Sequence, residues 1–293
     1  MRGAPEDGRS LLQLSEVELN VAPRPYLVTR RWVKEKYLEW GPTSPLWQSR
    51  VMGEFPAEGH DTLIPLALIE AAQARVLRAG SPVELGVDVG WFGDDASVIA
   101  LRRGPVVEIL DVAHKTDTMA TAARVAHALS RHTDITYARV DSVGVGAGVV
   151  DRLRGDNLPV VGLNAGWSAR DGERFANARA EWYWGLRERF EAGDIALPRD
   201  DELAAQLASI RWRPDARGRV TIESKDDMRR RGLGSPDKAD AVMMAFAPLG
   251  SGTAKFKVWH DPETERFNRA LDNEFYPPGL RHLKDANLLE MGF

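Results

Sequence analysis

Three separated acidic positions carry the chemistry that this sequence offers. Asp88 ends the apolar run Val83-Glu84-Leu85-Gly86-Val87-Asp88 and precedes Val89-Gly90. A carboxylate in such a run is costly to bury unless its charge is compensated, and a metal ion is one compensator. Asp88 reads equally as a turn aspartate whose side chain caps the Val89-Gly90 corner. Asp141 directly follows the apolar run Ile135 to Val140, and Asp240 lies in a late Ala- and Met-rich helix with Asp237 three residues earlier on the same face. Carboxylates brought together repel and raise one another's pKa values unless cations lie between them. Magnesium and manganese accept all-oxygen ligand sets. Two such ions can activate a water, grip a phosphodiester and stabilise a leaving oxygen.

The elements around these aspartates predict how they meet. Val83 to Gly90, Ala96 to Leu101 and Val106 to Val112 are short β-branched runs split by Gly, Pro and Asp turns, so they read as neighbouring antiparallel strands. An Ala-rich helix follows from Asp117 to Arg131, then a fourth strand, a glycine-punctuated loop from Ser142 to Gly148, a helix from Val149 to Arg154, and a fifth strand from Pro159 to Leu163. Helical crossovers make the later strands parallel to the first, which places strands one and four side by side. Asp88 and Asp141 then share one sheet edge, and a helix packed beside it delivers Asp240 or Asp237 to the same point. Helices are expected over Glu173 to Glu191, with Phe175, Trp182, Leu186 and Phe190 as its packing stripe, and over Asp200 to Leu207. A hairpin from Ala208 to Trp212 and Arg219 to Ile222 follows, then the closing helix from Asp237 to Ala247. Upstream, helices are expected over Thr29 to Leu38, Leu46 to Met52 and Leu63 to Arg78.

The absence of cysteine among the 293 residues excludes disulfides, thiolate metal sites and a cysteine nucleophile. The six histidines show no pair at helical ligand spacing, which argues against zinc. No apolar run reaches membrane-spanning length and the N-terminus lacks a signal-peptide core, so the chain reads as cytoplasmic with no membrane partner. A formal net charge of -4 argues against a generally basic coat. Arg211 to Lys238, however, holds nine Lys/Arg against five Asp/Glu, including Arg229-Arg230-Arg231. Local positive potential is enough for a nucleic-acid substrate; a solvated Arg-rich loop explains the same run.

The segments Gly86-Val87-Asp88-Val89-Gly90 with Gly93-Asp94-Asp95-Ala96, Asp141-Ser142 through Leu153, and Ser224-Lys225 through Asp240-Ala241 resemble the ribonuclease H-like nuclease superfamily. More specifically, they look like the nuclease domain of the large terminase subunit of tailed bacteriophages. The stretch from Trp32-Val33 through Leu46-Trp47 to Glu54-Phe55-Pro56 is similar to the segment that joins this family's ATPase and nuclease domains. The resemblance covers roughly residues 25 to 248. It implies an α/β fold with a mixed five-stranded sheet flanked by helices and a small helical N-terminal linker region. It divides the chain into a flexible segment 1–24, a helical linker 25–80, a nuclease domain 81–249 and a C-terminal extension 250–293.

By the same resemblance, the chain is a two-metal-ion endonuclease that cuts concatemeric double-stranded DNA during genome packaging in the bacterial host cytoplasm. Asp88, Asp141 and Asp240 are the implied catalytic and metal-binding residues, with Asp237 as a further ligand and Mg²⁺ or Mn²⁺ as the ions. Asp94 and Asp95 match a recurring acidic pair, or simply shape a turn. Lys225, Lys238, Arg229, Arg230 and Gly146 are candidates for contacts to DNA phosphate, Gly146 with Gly144 and Gly148 through backbone amides. The glycines read equally as a flexible turn before a helix. The family's ATPase domain carries a Gly-rich loop ending in Gly-Lys-Ser/Thr, and no such motif occurs in this sequence, so no ATP site is expected. A separate ATPase chain, a small terminase subunit and a portal ring are the implied partners. Two other readings stand beside this one. The sequence fits a non-catalytic docking module that needs that ATPase chain, and Asp88-Val89-Gly90 also resembles the phosphate loop of actin-like ATPases and sugar kinases.

Overall fold

In this computed structural model the described residues are 13–20, 28–42, 44, 47–53, 61–90 and 95–248. Asp94, the segment Glu54-Phe55-Pro56, most of 1–24 and the extension 250–293 lie outside them. Helix α1 spans Glu16–Leu19, started by a capping box between Ser15 and Glu18. Helix α2 spans Arg30–Trp40, with the Thr29 hydroxyl accepting from the Trp32 amide. A π-helical turn, Gln48–Met52, replaces the short α-helix expected there. Helix α3 covers Leu66–Ala74, shorter than the expected Leu63 to Arg78. Its first turn follows Pro65, whose fixed φ suits a helix start. Before it, the Leu63 amide donates to Ile210 instead of continuing a helix.

The sheet has the expected order. Strand β1 (Val83–Asp88) pairs antiparallel with β2 (Ala96–Arg103), and β2 with β3 (Val106–His114). On the other side β1 pairs in parallel with β4 (Tyr137–Asp141), and β4 with β5 (Val160–Leu163). The full order is β3-β2-β1-β4-β5. Every residue of β1 is buried, which requires cover on both faces of the strand. Val83, Leu85 and Val87 face one helical layer, α4 (Thr118–Arg131) and α5 (Gly146–Gly155), through Val125, Leu129, Val149 and Leu153. Helix α5 begins at Gly146, three residues before the expected start, so part of the expected loop is its first turn.

The opposite face carries the other layer: α6 (Ala178–Ala192), α7 (Asp201–Ser209) and α9 (Asp237–Phe246). Trp40, Leu66 and Ile69 from the N-terminal helices, with Leu63 just before α3, share this buried cluster with Tyr183, Leu186, Leu207 and Met243. Helix α6 starts later than expected because Asn177 caps it through the Ala180 amide. Phe175 therefore lies before α6, bridged to Val220 and packed with Ala180. Since α7 runs on to Ser209, the hairpin strands are β6 (Trp212–Pro214) and β7 (Val220–Ile222). Part of the expected Arg-rich loop is a helix, α8 (Lys225–Arg230), begun by a capping box between Ser224 and Asp227.

Helix α9 closes the fold, and all its residues are buried. It has no capping side chain of its own; Gln206 of α7 accepts from the Lys238 and Ala239 amides instead. Gly86 lets α9 approach β1, since a Cβ there would lie 2.0 Å from the Ala241 carbonyl oxygen and 2.4 Å from the Ala245 nitrogen. Among the described residues, no helix is long and apolar enough to cross a membrane.

Candidate metal centre

The C-terminal ends of β1 and β4 set the position of the first two aspartates. The parallel register places Val87 opposite Val140, and the next residues along are Asp88 and Asp141. Asp141 is the last residue of β4 rather than the first after it. Gly146 returns the chain tightly over this point, where a Cβ would stand 2.0 Å from the Asp141 carbonyl oxygen. The close approach of α9 to β1 then brings its first turn, with Asp237 and Asp240, over the same sheet edge.

Lys225, from the start of α8, lies at the centre of this group. Its Nζ is 3.4 Å from Asp88 Oδ2, 3.5 Å from Asp237 Oδ1 and 3.1 Å from Asp240 Oδ2. Burial alone would lower its pKa, but Asp88, Asp240 and Asp237 outweigh that and hold the ammonium charged. Asp88, Asp237 and Asp240 are all buried. Burial pushes the Asp88 carboxyl well above its ordinary range; Lys225 offsets part of this, and Asp240, Asp237 and Asp141 push it further up. Burial would also raise Asp240, yet Arg179, Lys225 and the Tyr183 hydroxyl hold it below the usual value. At the rim, Asp141 is raised mainly by burial, against the Val143 amide that donates to its Oδ1 at 3.0 Å.

The carboxylates are unequally committed. Asp237 Oδ2 accepts the Ala96 amide at 2.7 Å, tying the start of β2 to α9. Asp240 Oδ1 accepts from the Tyr183 hydroxyl at 2.6 Å and from Arg179 Nη2 at 3.3 Å. All four expected aspartates lie near one another at this sheet edge. Asp237 stands in the centre with Asp88 and Asp240, and Asp141 stands at the edge. As they lie, no three acidic or histidine side chains among the described residues surround a common point as ligands; the ammonium of Lys225 stands among Asp88, Asp237 and Asp240. The donor set itself is all oxygen, and among the described residues Lys225 and Arg179 are the cations that act on the four aspartates. A hard divalent ion suits that composition.

Several expected phosphate contacts are placed differently. Lys238 points to Asp200 Oδ2 and Glu202 Oε2, each at 2.7 Å, and is buried, so its ammonium is paired within the fold. Gly146 is buried and its amide donates to the Val143 carbonyl, while the Gly148 amide donates to Val145; hydrogen bonds of the first helical turn have taken the donors a phosphate would need. Lys225 lies among the carboxylates rather than on an open surface. Arg229 pairs with Asp95 and Asp226, and Arg230 with Asp227, although both side chains remain exposed. Asp95 is thereby occupied by an arginine.

Arg179 and Tyr183 were not singled out by the sequence reading, which took α6 as a packing helix. The signal was available: residues 179, 183, 186 and 190 fall on one helical stripe. An arginine on a buried stripe needs a carboxylate partner.

No protein-family model matches the sequence. No curated protein matches it either. Among solved structures, the nuclease domain of the large terminase subunit gp2 of bacterial virus Sf6 is similar, with a TM-score of 0.57 and 22% identity over 63% of this chain and 98% of that one. A variant of that domain with calcium, and another with manganese and beta-thujaplicinol, are similar at the same TM-score, 0.57, and 22% identity over the same shares of each chain. With its mixed sheet and flanking helices, this chain has the ribonuclease H-like fold seen in large terminase nuclease domains.

Proposed function

We propose that this protein is a divalent-metal-dependent endonuclease that hydrolyses phosphodiester bonds in double-stranded DNA, as the nuclease part of a phage packaging machine. The observation that carries this reading is the buried group of Asp88, Asp237 and Asp240 at the sheet edge beside Asp141, with more carboxylates than cations. Variants of the Sf6 nuclease domain, similar in fold, have been solved with calcium and with manganese. Asp88, Asp141 and Asp240 would hold two Mg²⁺ or Mn²⁺ ions, with Asp237 contributing its Oδ1. When bound, the ions supply Lewis-acid activation of water and neutralise charge on the attacked and leaving oxygens.

The protein's own groups do the remaining work. Asp88, central in the cluster, orients the reacting centre from the rigid end of β1. Lys225, now among Asp88, Asp237 and Asp240, would pair with a phosphate oxygen if divalent ions balanced those aspartates in its place. The exposed guanidiniums of Arg229 and Arg230 hold the duplex backbone, which positions DNA without reading its bases. A separate ATPase chain, a small terminase subunit and a portal ring complete the proposed assembly.

The test is cleavage of supercoiled plasmid by wild type, Asp88→Asn and Asp141→Asn in Mg²⁺, Mn²⁺ and EDTA. Asparagine keeps shape but removes charge, so nicking should appear only with metal and only in wild type. Folded wild type that leaves the plasmid intact in both metals would replace this reading with that of a docking module.

A further inference from the structure

We propose that Arg179 and Tyr183 are positioning residues that commit one oxygen of Asp240, so that it offers a single oxygen to a cation and favours a small ion over calcium. This rests on the metal-dependent reading above and deepens it.

The two side chains stand one helical turn apart on α6 and act on the same atom. Tyr183, fully buried, donates its hydroxyl to Asp240 Oδ1 at 2.6 Å, and Arg179 Nη2 reaches that oxygen at 3.3 Å. The guanidinium also lies 5.0 Å from the centre of the Tyr183 ring, so each restrains the other. Arg179 Nη1 donates to the Glu223 carbonyl at 2.6 Å, next to the Ser224 cap that starts the helix bearing Lys225. One guanidinium therefore joins the segment that carries Asp240 to the segment that carries the central ammonium. The other oxygen of Asp240, Oδ2, is the one turned into the cluster, 3.1 Å from Lys225.

The chemistry follows from the number of oxygens available. Calcium takes six to eight ligands and readily accepts a carboxylate through both oxygens, whereas magnesium demands compact octahedral geometry. With Oδ1 held by a phenol and a guanidinium, Asp240 cannot turn both oxygens to an ion without breaking a charge-assisted hydrogen bond. Releasing Oδ1 would remove that restraint and loosen the orientation of Oδ2. Groups that orient a ligand in this way typically change metal affinity by about 10-fold or more when removed.

The experiment is calorimetric titration of the full chain with Mn²⁺ and with Ca²⁺, without DNA, on wild type, Tyr183→Phe and Arg179→Lys, accompanied by the Mn²⁺ electron paramagnetic resonance spectrum. Tyr183→Phe keeps the ring and loses only the donor. It should weaken Mn²⁺ by about 10-fold, weaken Ca²⁺ less, and broaden the distribution of Mn²⁺ environments in the spectrum. Arg179→Lys, which keeps the charge but cannot span Glu223 and Asp240 together, should move the Ca²⁺ to Mn²⁺ affinity ratio in the same direction. A ratio unchanged in Tyr183→Phe, whether both ions bind as before or both weaken equally, would overturn the assignment while leaving plasmid cleavage by wild type intact. Wild type that binds neither ion and cuts no plasmid would remove the nuclease reading and this one together.

Discussion

Two buried ionic groups lie under helix α9 on the same face of β1, and their charge balances are opposite. Residues 84, 86 and 88 alternate onto that face. At the Asp88 end, aspartates outnumber cations around Lys225. At the Glu84 end, one carboxylate faces two guanidiniums, Arg139 at 2.5 Å and Arg102 at 3.5 Å. Arg139 also donates to the Ala245 carbonyl at 2.9 Å, and Arg102 stacks over Phe246, so this group holds the last turn of α9. Burial drives both arginines below their usual pKa, Arg102 to about 10, against the pull of Glu84. A surplus of arginine can be satisfied by carbonyl oxygens and aromatic rings already in the protein. A surplus of buried carboxylate is met in part by amides and hydroxyls, as Ala96 meets Asp237 and Tyr183 meets Asp240, and beyond that by protonation or by a cation from outside. Glu84 and Asp88 are both buried, and the two groups differ in the sign of their imbalance.

The contrast can be broken most sharply at the arginine end. Glu84→Gln leaves Arg102 and Arg139 buried without a counter-charge, and should cost about 3–5 kcal/mol in urea unfolding. A loss under about 1 kcal/mol would mean that these guanidiniums do not depend on Glu84, and the contrast would fail. At the aspartate end the sign reverses. The pKa of Asp88 is raised in the folded protein, so the folded state binds more protons than the unfolded chain, and metal-free stability falls as pH rises from about 4 toward the folded value. Asp240 is held low, so its contribution is present above about 4 and is lost only as pH falls through its folded pKa. Melting in EDTA across this range should show Asp88→Asn more stable than wild type at neutral pH, with a flatter profile; equal or lower stability would mean that Lys225 already balances the cluster. The smallest effect is expected at Lys238. Lys238 is buried, but its partners Asp200 and Glu202 are 22% and 37% exposed and can turn to water, so Lys238→Met should cost about 1 kcal/mol or less. The salt dependence of DNA binding should stay unchanged, whereas a shallower slope would restore Lys238 as a phosphate contact.

The sheet was legible because each strand is an apolar run bounded by turn residues, and because crossover handedness leaves one order for β1, β4 and β5. Asp88 stood out as a charge at the end of such a run. Side-chain partners were less legible, since they depend on which helix faces which edge. Lys225 and Lys238 look alike in sequence, but the former is drawn among aspartates and the latter toward Asp200 and Glu202. Helix α8 was hidden by its high charge: Ser224 and Asp227 form a capping box, yet only Met228 among its residues is buried, leaving no apolar periodicity to read. The start of α5 was obscured by Gly144, Gly146 and Gly148, residues that usually weaken a helix. Arg179 and Tyr183 could be recognised as partners of Asp240 only once α6 and α9 were placed together.

The complete burial of α9 also bears on how the molecule opens. Amide exchange in such an element requires separation of the layers around it rather than fraying of a solvent-facing turn. Asp237 and Asp240 therefore sit in the part of the protein expected to exchange most slowly, tied at one end to Ala96 and at the other to Arg139. Helix α8, which presents Lys225 and buries only Met228, is expected to open at lower cost. The carboxylates are thus held with the endurance of the whole fold, while the lysine between them is borne by one of its least protected segments.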